Sequence, residues 1–154
     1  MLHGPRDRLR YTVTLTVTGD QHLHGTMQMS EQYSCRQFLA KKAAGGTEVP
    51  LPQIALNNFK DSFEASLEGW KGPGTYKLQS PHNNTSFISV GNLGGVTVGR
   101  QNYSTPVQGE TKPANVTAVV TANGAISITF SNLALNGQPS RTVSGHAQYS
   151  CKNI

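Results

Sequence analysis

The chain has 154 residues, a formal charge of +5 and only 14% charged side chains. That length builds one core rather than two. No stretch approaches the ~20 apolar residues of a membrane span, and the net charge argues poorly for nucleic acid, because Arg6, Arg8 and Arg10 cluster at the N-terminus while the other cations are scattered. The charged share lies well under the roughly 25% of ordinary soluble domains. Thr, Ser, Asn, Gln and Gly take up the difference, a composition common among secreted β proteins.

Residues 1–9 read as a flexible basic arm, solvated rather than gripping phosphates, and residues 10–154 as a single domain. Tyr11 to Thr18 alternates without a fault, threonines on one face and Tyr11, Val13, Leu15 and Val17 on the other, the mark of a half-buried strand. Gly19-Asp20 turns the chain, and Leu23, Met27 and Met29 continue an inward face towards Tyr33 and Cys35, so the first two strands should form a hairpin. Phe38 to Ala44 before Gly45-Gly46 has the spacing of one short helix. Thr47 to Gln53, with two prolines, is a loop or an edge segment. Leu56 to Leu67 fits both periods, with strand expected from Ser62 onward.

Gly72-Pro73-Gly74-Thr75 carries the residues of a type II turn, and predicts a hairpin between Leu67 to Trp70 and Thr75 to Leu78. Phe87 to Val90, Gly95 to Arg100, Asn115 to Thr121, Ala125 to Leu133 and Arg141 to Cys151 read as further strands, with Asn123-Gly124 as a hairpin turn. The fold class expected is all-β: an antiparallel sandwich or jelly roll of about eight or nine strands.

Gln-Tyr-Ser-Cys occurs twice, at 32–35 and 148–151, and holds the chain's two cysteines. In extended strands each tyrosine shares a face with its cysteine, which predicts a buried Cys35–Cys151 disulfide and an oxidising compartment. Closing so long a loop would contribute on the order of 4–5 kcal/mol in the chain-entropy model. Met1 to Arg8 has no apolar core of a signal peptide, so this reading expects a leader or anchor outside the chain.

Asp20, His22 and His24 share one strand parity, and two histidines at i and i+2 can present nitrogens to one zinc or copper ion, with His146 as a candidate third ligand. A plain polar outer face explains the same pattern. Trp70, Tyr76 and Tyr103 could stack on sugar rings, or equally serve as packing aromatics. Asn83, Asn84, Asn102 and Asn115 begin Asn-x-Ser/Thr triplets, which suggest exposed loops. No nucleophile elbow, phosphate-cradling loop or inward acid pair occurs, and a bridged cysteine is no nucleophile. No enzyme and no cofactor are expected.

At Gly94-Gly95-Val96-Thr97-Val98-Gly99 and in the closing run Thr142 to Cys151, the chain resembles small secreted actinobacterial lipoproteins of the LpqH type. Their Gly-Val-Thr-Leu-Gly-like segment is followed by an Asn-rich hairpin and a last strand ending in cysteine. The resemblance covers roughly the last 60 residues. It implies a surface-attached β-sandwich with one disulfide and no catalytic role. The family's lipid-bearing N-terminal cysteine has no counterpart, and the Trp70 to Tyr76 segment is an addition to the pattern. The expected function is thus a non-enzymatic extracellular or envelope-displayed domain with a recognition or structural role towards a surface partner or glycan. A small-molecule or carbohydrate-binding module, or a self-assembling filament or shell subunit joined through edge strands, are the alternatives.

Overall fold

The threonine alternation at the start of the chain becomes β1 (Leu9–Gly19). Tyr11, Val13, Leu15 and Val17 are buried, while Thr12, Thr14, Thr16 and Thr18 face the other way. The computed structural model describes residues 9–31, 49–50, 54–56, 61–67, 71–79, 87–92, 102–105, 114–135 and 137–153. After β1 come β2 (Leu23–Glu31), β3 (Val49–Pro50), β4 (Ile54–Leu56), β5 (Asp61–Leu67), β6 (Gly74–Gln79) and β7 (Phe87–Asn92). β8 (Asn102–Thr105), β9 (Asn115–Val120), β10 (Ile126–Leu135) and β11 (Gln138–Asn153) complete the set. Among the described residues there is no helix, and every strand pairing is antiparallel.

Six strands form one continuous antiparallel sheet in the order β2-β1-β11-β10-β9-β6. The β1–β2 hairpin is as expected, with Val17 opposite Leu23. β11 lies between β1 and β10, so the two ends of the sequence meet in the middle of the sheet. Its Val143, Ala147 and Tyr149 are buried as the alternation predicts, and Cys151 packs half-buried at the core's margin. Alternating β9 residues Val116, Ala118 and Val120 and β10 residues Ile126, Ile128 and Phe130 complete the inner face. Tyr149 meets Tyr11 edge-on at 5.8 Å between ring centroids, the favoured geometry for aromatic quadrupoles.

A second run, β8-β7-β5, branches from the far end of β10, with β3 and β4 both pairing β5. The branch point is a bulge between Phe130 and Leu133, where Asn132 adopts φ +57° and its N–H donates to Ser144 Oγ at 3.1 Å. Up to Ser131 β10 pairs β9; beyond the bulge Ala134 and Leu135 pair β8. An inserted residue bends and re-aims a strand in this way. Phe63 of β5 stacks on Phe130 with centroids 5.9 Å apart and both are buried, so the two runs share one core.

Three sequence expectations need correction. Leu67 and Thr75 to Leu78, the described part of the expected local hairpin, pair elsewhere: Leu67 of β5 lies opposite Val49, and β6 pairs β9, with Tyr76 opposite Ala118. Gly72-Pro73-Gly74 instead carries the chain from one run to the other, with positive φ on both sides of the proline, +83° at Gly72 and +151° at Gly74. The Asn123-Gly124 hairpin is present, but as a three-residue loop in which Gly124 alone takes positive φ, +92°, and its N–H donates to the Thr121 carbonyl; a type I turn with a glycine bulge has this form. Asn102 and Asn115 begin strands β8 and β9 rather than lying in loops. Residues 1–8, Tyr33, Cys35, the segment expected to be helical, Trp70, Asn83, Asn84 and Gly95 to Arg100 lie outside the described residues.

Candidate functional site: a carboxylate clasp at the first turn

The turn after β1 places Asp20 against the far end of β11. Gly19 takes φ +107°, and a side chain there would press on the Thr142 carbonyl oxygen at 2.8 Å. Glycine alone meets both demands. The Asp20 N–H then donates to the Thr142 carbonyl at 2.9 Å, which points the carboxylate at Arg141. Arg141 donates from Nε at 2.9 Å and from its terminal nitrogen at 2.8 Å, both to Oδ2. The Tyr103 hydroxyl of β8 donates to the same oxygen, and Arg141 also reaches Gln138 Oε1 at 3.3 Å.

Three donors on one oxygen stabilise the ionised form. The Arg141 guanidinium first, then the Tyr103 hydroxyl, hold the Asp20 carboxyl below its ordinary value of 3.8. Burial, reinforced by the Asp20 carboxylate, pushes the Tyr103 hydroxyl up to about 12. A carboxylate so satisfied is a weak base and no proton donor near neutrality. Chemically the cluster is a clasp: it ties the β1–β2 turn, β8 and β11 together across sequence separations of 83 and 121 residues.

The clasp has a pH signature. Asp20 loses affinity for protons on folding, so its contribution is full above the ordinary carboxylate range and vanishes as pH falls through its lowered value. Tyr103 gains affinity, so its contribution is full below pH 10 and disappears as pH rises to about 12. The melting temperature of Asp20→Asn should therefore lie below that of the wild type near neutrality, with the gap closing below about pH 4. Tyr103→Phe should flatten the alkaline limb. Parallel melting curves for wild type and Asp20→Asn throughout the acid range would contradict this assignment.

The residues proposed for a metal do not converge. Asp20 is engaged in the clasp, and His22 and His24 are exposed as expected. His24 and His146 stand in one cross-strand row on either side of Thr16. Each is held by a different hydroxyl: His24 Nδ1 bonds Thr16 Oγ1 at 3.0 Å, whereas His146 Nε2 bonds Ser127 Oγ of β10 at 2.9 Å, on its side away from Thr16. Among the described residues no three His, Cys, Asp or Glu side chains are grouped to hold a metal ion.

The aromatic candidates are also spoken for. Tyr103 is 1% exposed, so neither ring face is open to a sugar. Tyr76 is half-buried against the core, and its hydroxyl donates to the Gly72 carbonyl at 2.5 Å while accepting the Lys71 N–H at 3.0 Å. It fastens the turn that links the two runs. Trp70 is outside the described residues.

What the six-stranded sheet offers to its surroundings is its outer face. Thr12, Thr14, Thr16 and Thr18 of β1 lie beside Thr26 and Gln28 of β2 and Gln148 and Ser150 of β11, followed by Ser127, Thr129, Thr117 and Thr75. Thr14 and Thr26 join their hydroxyls across the strands at 3.1 Å. Among the described residues of this face the charges are Arg10, Lys77 and Lys152, at its margins. Comparison with known proteins finds no matching family model, no matching curated protein and no matching solved structure.

Proposed function

We infer that the chain is a non-enzymatic domain that works outside the cytoplasm, on a cell envelope or in the surrounding medium, and serves recognition or structure through its polar sheet face. Its architecture on this reading is an antiparallel β-sandwich stapled by Cys35 and Cys151. The observation that carries it is the place of Cys151. That residue sits on the inward side of β11, opposite Tyr11 and at the margin of the core. A chain with two cysteines has one way to pair them internally, and such a bridge belongs to an oxidising compartment.

Two further features support the reading. The Phe63–Phe130 stack joins the two runs in one core, a contact that suits a sandwich. The Asp20 carboxylate is saturated by structural donors rather than poised for proton transfer. The LpqH-like closing strand agrees with a surface-displayed domain, and the reading calls for no cofactor.

The test is intact mass before and after reduction, with thiol alkylation, on protein made in an oxidising compartment. The expected result is a gain of two hydrogens on reduction and no alkylation without it. Two alkylated thiols in the folded, unreduced protein would overturn both the bridge and the compartment.

A further inference from the structure

At one end of the β1–β11 ladder two cations oppose each other on the outer face. Arg10 and Lys152 are direct cross-strand partners, both exposed, on strands about 4.8 Å apart. Like charges set opposite one another destabilise a strand pair, so the free protein carries a cost here that a neutral polar residue would avoid. No carboxylate among the described residues relieves it. Arg141 is joined to Asp20 in the clasp, whereas neither Arg10 nor Lys152 has an ion pair with a described residue. The acid next in register, Glu31, stands opposite Leu9 and so has the parity of the inner face. Beyond the two cations the outer positions of β2, β1 and β11 continue as Gln28, Thr12 and Ser150. Where these three strands run side by side, no acidic and no apolar side chain stands on the outer face among the described residues.

We propose that Arg10 and Lys152 are the anion-binding centre of this face, and that its occupant is an acidic polysaccharide. The surroundings of the pair choose among the polyanions that two cations attract. With no apolar side chain the face has nothing to bury in a bilayer, and with no Phe, Tyr or Trp it has nothing to stack on bases. Its hydroxyls and carboxamides both donate and accept hydrogen bonds, which is what the hydroxyls of a sugar ring require. A carboxylate seated between the two cations takes a forked pair of bonds from the guanidinium and a further bond from the ammonium group. That contact turns the repulsion of the free protein into attraction on both sides of the ladder. Rows about 4.8 Å apart across the strands and about 6.6 Å apart along them then offer Thr12, Ser150 and Gln28 to the neighbouring hydroxyls of the same chain of sugars.

This assignment rests on the reading of the polar sheet face as a recognition surface, but on neither the disulfide nor the compartment. The test is binding of polygalacturonate, and of its methyl ester with the charge removed, by wild type, Arg10→Gln/Lys152→Gln and Lys71→Gln/Lys77→Gln. Both double variants remove two positive charges at exposed positions, so their net charge is the same. Wild type should bind polygalacturonate, more weakly as salt is raised, and leave the ester unbound. Arg10→Gln/Lys152→Gln should weaken binding by about tenfold or more without a fall in melting temperature, since it removes a like-charge pair. Lys71→Gln/Lys77→Gln should stay within about twofold of wild type. Lys152→Gln alone, expected to lose about threefold, decides if the double variant does not fold. No binding by wild type, or equal losses in the two double variants, would overturn the proposal. Tighter binding to vesicles of phosphatidylglycerol and phosphatidylcholine than to polygalacturonate would do the same, by making the occupant a membrane. Equal binding of the ester and the acid would remove the anion centre yet leave the face a recognition surface, which separates this failure from that of the reading beneath it.

Discussion

If Cys35 and Cys151 are bridged as proposed, replacing both with serine is expected to lower the unfolding free energy by about 4–5 kcal/mol, because such a bridge would close a loop spanning most of the chain. Domains of this size are stable by only about 5–15 kcal/mol, so roughly a quarter or more of the total is at stake. The melting temperature should fall by roughly 10–20 °C, at ~2–4 °C per kcal/mol for a chain of this length. Reduction of the wild type should reproduce most of that fall. The stabilisation acts mainly on the unfolded ensemble, so the double-serine variant should retain the wild-type far-UV spectrum at low temperature. Equal stability of the variant and the oxidised wild type would remove the staple from the account and, with it, the case for an oxidising compartment.

Gly145→Ala should be nearly as damaging, for a different reason. Gly145 occupies an inward-facing place in β11, opposite Val17 on one side and Phe130 on the other. A methyl group there would fall on the Thr16 carbonyl oxygen, with Phe130 Cζ 2.9 Å away. The ring could turn, but the carbonyl belongs to the backbone of β1 and yields only if the β1–β11 ladder shifts. Overpacking of this kind costs about 1–3 kcal/mol and sometimes more, and the backbone clash puts Gly145→Ala at or above ~3 kcal/mol, a loss of roughly 6–12 °C. Adding Phe130→Leu should not restore stability, because the nearest obstacle is not the ring. Outer-face Gln148→Ala should remain within about 0.5 kcal/mol of wild type. A Gly145→Ala protein as stable as Gln148→Ala, or one rescued by Phe130→Leu, would show that the close approach of β1 to β11 is misjudged.

Much of the inner face was legible from alternation alone. Tyr11, Val13, Leu15, Val17, Val143, Ala147 and Tyr149 all face the core as their parity predicts, because a two-residue period has only two phases and the threonines fix which is outside. Partners were less legible than faces. A turn such as Gly72-Pro73-Gly74 announces a change of direction but not the destination, and β6 finds β9 some forty residues later rather than the strand just before it. β8 escaped notice since four residues, Asn102–Thr105, with one apolar side chain carry too short a period to read. The Asp20–Arg141–Tyr103 clasp was illegible for a related reason: its members are local to nothing but one another. Asp20 stood out as a turn residue, but what satisfies it lies 83 and 121 residues away. Gly145 had a local signal, a glycine in the interior of a strand, which marks a close backbone approach.

Because β11 slots between β1 and β10, the sheet cannot be assembled in the order in which it is synthesised. The β1–β2 hairpin can form early, but the flank of β1 that will receive β11 must wait until residues 138–153 have been made. Contacts of such long sequence separation make folding slow, and in the interval an open strand flank is vulnerable to wrong partners. The central ladder of the sheet is thus a late event in folding, and the early hairpin gains its second neighbour only when β11 arrives.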